Sequence, residues 1–141
     1  VVLCDQISRN LHRGKPGAYA ADRLAAHHAE LLLGDCGVRQ RPELQLIACL
    51  AFVHSEDPII FAKASCLVSE LHEQKTLPEE VQCALEGVHR NHADRMSAFG
   101  RIPERNSILC RHVNPNEMAF CHALRLDKAP VSTPPQGGSV F

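Results

Sequence analysis

Apolar residues recur at helical spacing along most of the chain. Val1, Val2, Leu3, Ile7 and Leu11 fall near one face of a first helix over residues 1–12. Residues 13–17, Arg-Gly-Lys-Pro-Gly, break it, because Gly and Pro both interrupt helical backbone. The Ala- and Leu-rich stretch 18–33 predicts a second helix, stopped by Gly-Asp-Cys-Gly. Pro42 suits the first turn of a third helix running to about Val53. The junction 54–58 follows, with Ser55 as the expected N-cap of a fourth helix to about Glu73. Pro78-Glu79-Glu80 opens a fifth helix, with acid where the helix dipole favours it, and Gly-Arg-Ile-Pro ends it near Ala98. Residues 114–124 predict a last short helix, with Asn114 as cap and Pro115 at its first position. No segment alternates with period two, and no internal repeat is evident. The expected fold class is all-α, with antiparallel helices joined by short connections. The helical domain is expected over 1–126, and the Pro/Gly/Ser/Thr-rich tail 127–141 is expected to be disordered. The opening Val-Val-Leu-Cys-Asp-Gln reads like the inside of a helix, so an N-terminal segment is expected to be missing.

Composition narrows the picture. A length of 141 residues fits one domain with a modest core. Aromatics are 4% and Trp is absent, so that core must come mainly from Leu, Ala, Val and Ile. A formal net charge of −1 argues against general nucleic-acid binding. The longest apolar run, residues 46–53, falls far short of the ~20 residues of a membrane span. Seven cysteines are scattered without a Cys-x-x-Cys pair. They read as mostly reduced, buried, small apolar residues, which favours a cytoplasmic location and calls for no metal or cofactor.

Three polar clusters carry candidate chemistry. Asp5, Arg9 and Arg13 are spaced four apart and share a helix face. They are a buried ion-pair network, a ligand site, or surface salt bridges. His54-Ser55-Glu56-Asp57 sets an imidazole beside two carboxylates, which suits a general base or a metal ligand as well as a capped helix start. His89 and His92 lie three apart, and Glu86-x-x-His89 matches half of a di-iron helical motif. The second half is absent, so no metal is expected. The stretch Phe-Gly-Arg-Ile-Pro-Glu-Arg-Asn, 99–106, brings Arg101 and Arg105 around a Gly-x-x-Pro turn. Guanidinium forks take carboxylate or phosphate in two-pronged fashion. Their anion is either an external ligand or one of Asp5, Glu56 and Asp57, toward which the turn is expected to aim both arginines. Cys110 beside Arg111 and His112 is either a reactive thiol or a small residue at a packed turn. No Ser/His/Asp nucleophile pattern and no Gly-rich phosphate loop occurs.

Taken together, residues 3–22, 54–57 and 91–111 resemble the three hallmark blocks of domain-of-unknown-function family 924, in the expected order. The resemblance spans most of residues 1–124. It implies a tetratricopeptide-like α-α superhelix and assigns no activity. The family's polar positions match Asp5, Gln6, Arg9, Asn10, Arg13, Asp22, His54, Ser55, Glu56, Asp57, His92, Gly100, Arg101, Pro103, Arg105, Asn106 and Arg111. The chain departs from the pattern at Phe61, Ile102, Glu104 and Cys110, where members usually carry Gln, Phe, His and Gly. The Trp- and Phe-bearing upstream segment of the family is expected to be missing.

The leading expectation is a helical binding module that presents a groove to a protein or peptide and carries a polar Asp/His/Arg cluster. The alternative is an enzyme of hydrolase type acting on a small, anionic molecule. In that reading His54, Glu56, Asp57 and His92 are catalytic, and Asp5, Arg9, Arg13, Arg101, Arg105 and Asn106 bind the ligand. A third reading makes the motifs purely architectural. Neither nucleic acid nor membrane is an expected partner, and no cofactor is expected.

Overall fold

The computed structural model describes residues 1–127, and these are all helical or irregular, with no strand among the described residues. The chain opens in a π-helical turn, Leu3–Ile7, in which the Ile7 N–H reaches the Val2 carbonyl (3.0 Å). That turn continues into α1, Ser8–Leu11. The longer helices are α2 (Asp22–Leu33), α3 (Pro42–Val53), α4 (Pro58–Gln74), α5 (Glu79–Phe99) and α6 (Pro115–Asp127). Short 3₁₀ turns at Pro16–Ala18, Val38–Gln40 and Pro103–Arg105 fill connections. Residues 128–141, and with them nearly all of the tail expected to be disordered, lie outside the described residues; Asp127 itself ends α6.

Helix α3 is apolar on nearly every side and therefore sits at the centre. It packs between α2 and α4, and α5 lies against α4 and α3. The core joins Ala25, Ala26 and Ala29 of α2 to Cys49, Phe52 and Val53 of α3, and these to Leu67, Val68 and Leu71 of α4 and Leu85 of α5. The alanines let α2 approach α3 closely. Phe52 is the largest fully buried side chain, and burying such a ring is worth roughly 2–3 kcal/mol. Sequential neighbours packed side by side fit the expected tetratricopeptide-like order.

Several local expectations need correction. Most of the expected apolar face of the first helix does not face the core: Val1 packs against it, but Leu3 and Leu11 are 73% and 74% exposed, while Asp5 is 1% exposed. The π-turn, with its extra residue per turn, sets the polar side inward, where Asp5 finds cationic partners. The N-cap of α4 is Asp57, whose carboxylate accepts from the Ile59 and Ile60 N–H groups (2.8 and 3.2 Å). Ser55 instead accepts the Asp57 N–H (3.1 Å), two residues too early to cap. The cysteines are all free, and of them Cys49 is buried while Cys36, Cys66, Cys83 and Cys110 are exposed. They lie on outer helix faces and loops rather than in the core. No described helix is long and apolar enough to cross a membrane.

The start of α6 follows its sequence signal. The Asn114 side chain accepts the Glu117 N–H, and the Glu117 carboxylate accepts the Asn114 N–H, both at 2.9 Å. This is a reciprocal capping box. Helix α5 ends at Gly100, whose φ of +67° is left-handed and favours glycine.

Candidate functional site

The inward-facing π-turn places Asp5 at the centre of a polar network drawn from four separated segments. One turn on, Arg9 donates from Nε to Asp5 Oδ1 (2.8 Å) and from Nη2 to Asp22 Oδ1 (2.7 Å). Asp22, the first residue of α2, also faces Arg105 Nη1 (3.4 Å). His54, at the end of α3, puts Nδ1 2.7 and 2.9 Å from the two Asp5 oxygens, and its carbonyl accepts from Arg105 Nη1 (3.0 Å). The Tyr19 ring carries two guanidinium groups, Arg9 at 5.4 Å and Arg105 at 4.8 Å from its centroid. On α5, His92 donates Nδ1–H to the Val88 carbonyl (2.9 Å), and its ring centroid lies 5.8 Å from that of His54.

Protonation follows from this geometry. Burial pushes the Asp5 carboxyl up, but the hydrogen bonds and charges of His54 and Arg9 outweigh it and bring the group down to about 2. Asp22 goes the other way: burial, helped by nearby Asp5, outweighs Arg9 and Arg105 and raises it. Burial takes His92 down to about 4, with the charges of His54, Arg105 and Arg95 adding to the effect against the Val88 bond. His92 is therefore neutral at pH 7, its proton on Nδ1 and its lone pair on Nε2. The Asp5 carboxylate can only accept, so Nδ1 of His54 must donate, and Nε2 is the ring nitrogen that Asp5 leaves unengaged.

His54, His92, Arg9, Arg105 and Tyr19 line one side of a cavity of about 490 Å³, completed by Asn91, Arg95, Ile102, Glu104 and Leu124. An imidazole held by a buried carboxylate, beside guanidinium groups, can take a proton from a bound molecule while an anionic part of it is held. Tyr19 and Arg95 lie inside the family-like blocks 3–22 and 91–111 but were not among the expected site residues.

Other expected site residues lie elsewhere. Arg101 does not join Asp5 and Arg105. The backbone leaving Gly100 turns it toward α6, where Nε and Nη2 grip the two oxygens of fully buried Glu117 (2.6 and 2.9 Å). The capping-box spacing from Asn114 was the available signal for Glu117. Its pairing with Arg101 and the Asn114 N–H holds that carboxyl down at about 2. Glu56 accepts the Ile102 N–H (2.8 Å) and pairs with both terminal nitrogens of Arg111, tying the α3–α4 junction to the loop after α5. Burial raises the Glu56 carboxyl, but Arg111, the Ile102 N–H and Arg105 bring it below its ordinary value. Asn106 is 1% exposed and takes Arg111 Nε on Oδ1 (2.9 Å). Asp57 is an exposed cap, and Arg13 is exposed and bonds Asn10 (3.1 Å).

The half-motif Glu86-x-x-His89 does not assemble. His89 meets Ser65 Oγ (2.9 Å) and stacks on Phe61, while Glu86 turns to His72 (2.7 Å). Among the described residues no three His, Cys, Asp or Glu side chains gather so as to hold a metal ion. Cys110 is exposed with a left-handed φ of +52°, and the Arg111 beside it is engaged by Glu56.

Residues 1–124 match the family described as "Bacterial protein of unknown function (DUF924)". The structure is similar to that of a protein of unknown function, ATU0120 from Agrobacterium tumefaciens, with a TM-score of 0.66 and 29% identity. The match covers 86% of this chain and 64% of that one, so this chain spans a little under two thirds of its length. No curated protein matches.

Proposed function

We propose that this chain, which belongs to the bacterial DUF924 family, binds a small anionic molecule in the His54 cavity and hydrolyses it. The observation that carries the reading is the two-oxygen grip of Asp5 on His54 Nδ1, at 2.7 and 2.9 Å. It fixes the imidazole's tautomer and orientation. Nε2 of His54 then takes a proton from a water molecule as the water oxygen attacks the scissile centre, and the buried Asp5 carboxylate stabilises the imidazolium that forms. The leaving group takes that proton back as its bond breaks. Arg9 and Arg105 hold the anionic part of the substrate, and neutral His92 accepts a hydrogen bond at Nε2.

The test is a turnover screen of small phosphate and carboxylate esters with the wild-type chain and His54→Asn. A hydrolysed substrate whose turnover falls by roughly 10²–10⁴ in the variant supports the proposal. Turnover equal in both chains, or no hydrolysis of any such ester, refutes it.

A second reading, a groove that docks a peptide, is favoured by a separate apolar depression between α2 and α4. Its apolar lining is Leu33, Phe52, Ile59, Ala62, Cys66 and Leu67, joined by Glu30, Lys63 and Glu70, and Ile59 is 71% exposed. The groove is distinct from the charged cluster. A partner captured by the wild-type chain and lost with Ile59→Asp would support it; retention by the variant would refute it.

A further inference from the structure

The cations of the His54 cavity are held in two different ways. Arg9 and Arg105 are braced from behind by Asp5 and Asp22, neither of which lines the cavity. Arg95 is matched instead by Glu104, the one carboxylate on the cavity wall among the described residues. Glu104 receives a single hydrogen bond, from Arg95 Nε (2.6 Å), and its side chain is 37% exposed. A pair open to solvent on its carboxylate side contributes little net stability, so another anion can compete for the guanidinium.

Arg95 does not depend on Glu104 for its position. Its Nη1 donates to the Asn91 carbonyl on its own helix (2.6 Å), its guanidinium lies 5.1 Å from the centroid of the Phe120 ring, and its side chain is 15% exposed. The guanidinium is thus prepositioned on the wall while the group it binds is loosely held. Removing Glu104 would leave a cavity wall with Arg9, Arg95 and Arg105 and no acid.

We infer that the ligand's carboxylate or phosphate sits on Arg95 in the place taken by the Glu104 carboxylate, and that Glu104 sets the affinity of the site by competing for it. This deepens the proposed function by naming the anion subsite. It rests on the cavity as the ligand site but not on His54 acting as a base.

Succinate and inorganic phosphate are titrated separately into the full chain, with binding followed by calorimetry and by NMR shifts of cavity residues. Glu104→Gln is expected to tighten binding of at least one of them by on the order of 10-fold, because a competing like charge is gone. Arg95→Gln, alone or added to Glu104→Gln, is expected to abolish the gain. Thermal melting of each variant verifies that the fold is kept. Equal affinity in wild type and Glu104→Gln overturns the inference, as does binding that survives Arg95→Gln or no binding of either anion to any variant. His54→Asn separates the two readings: bound anion with lost hydrolysis of the ester found in the turnover screen supports both, whereas bound anion with unchanged hydrolysis of that ester overturns general-base hydrolysis and leaves the Arg95 subsite standing.

Discussion

Arg101 grips both oxygens of Glu117, at 2.6 and 2.9 Å, and so ties the turn after α5 to the first turn of α6. Glu117 is fully buried, and the same carboxylate closes the capping box with Asn114. Arg101→Ala would leave a buried carboxylate without its cation, which is more damaging than the loss of the pair itself. A clear fall in melting temperature is expected, with only partial recovery in Arg101→Lys, whose point charge cannot serve two oxygens. An unchanged melting temperature in Arg101→Ala would show that the link between α5 and α6 does not matter to the fold.

Asp5→Asn keeps the shape of the side chain and removes the charge facing both Arg9 and His54. A loss of about 3 kcal/mol is expected, measured by denaturant unfolding with an unchanged slope, because two cationic or cation-accepting partners lose a buried anion. Turnover of any substrate found should fall with it, since His54 loses the group that fixes its tautomer. Arg13→Ala is the contrast. It sits one turn beyond Arg9 on the same sequence pattern but is exposed, so its effect should stay within ~0.5 kcal/mol.

That contrast shows how far the sequence could be read. Helical spacing, Pro at first turns and Gly at ends located the helices, because those signals act within a few residues. The i, i+4 spacing of Asp5, Arg9 and Arg13 said that they share a face but not which way the face turns. The π-turn that re-phases the helix, and the exposure of Leu3 and Leu11 that follows, arise from tertiary pairing with His54 and Asp22. The same limit explains the arginines of the turn at 99–106. Their charge implied anionic partners, but the division between Asp22 for Arg105 and Glu117 for Arg101 depends on where α6 docks. Tyr19, Arg95 and Glu104 lie inside the family-like blocks 3–22 and 91–111, but only folding brings them to one cavity.

Stability should depend on pH in two stages. His92 falls from an ordinary 6.5 to about 4 because burial and the neighbouring Arg105, Arg95 and His54 disfavour its charge. Its contribution is present above pH 6.5 and lost as pH drops toward 4, at most ~3 kcal/mol. Asp5 and Glu117, both held at about 2, keep their contributions until pH falls below their ordinary 3.8 and 4.5 and lose them toward 2. Asp22, raised by burial, works in the opposite direction as it takes up its proton. Unfolding free energies for His92→Gln should be distinctly flatter than wild type between pH 6.5 and 4 and should follow it below 4. A wild-type curve flat over the upper range would contradict the neutral, buried assignment.

Tyr19 joins the network through the face of its ring, with Arg9 and Arg105 at 5.4 and 4.8 Å from the centroid. Cation–π contacts are worth roughly 0.5–2 kcal/mol each, the larger figure applying where the cation has lost its water. Arg105 is 5% exposed and so lies near the upper end, whereas Arg9 keeps more contact with solvent. Tyr19→Ala is therefore expected to cost about 2 kcal/mol, and to loosen the two guanidinium groups that line the cavity. Tyr19→Phe keeps the ring and should cost less than ~0.5 kcal/mol, because both arginines are held by the ring face. Thermal unfolding of both variants decides the matter. If Phe were as damaging as Ala, the hydroxyl rather than the ring face would be holding the arginines, and the stacking account would fail.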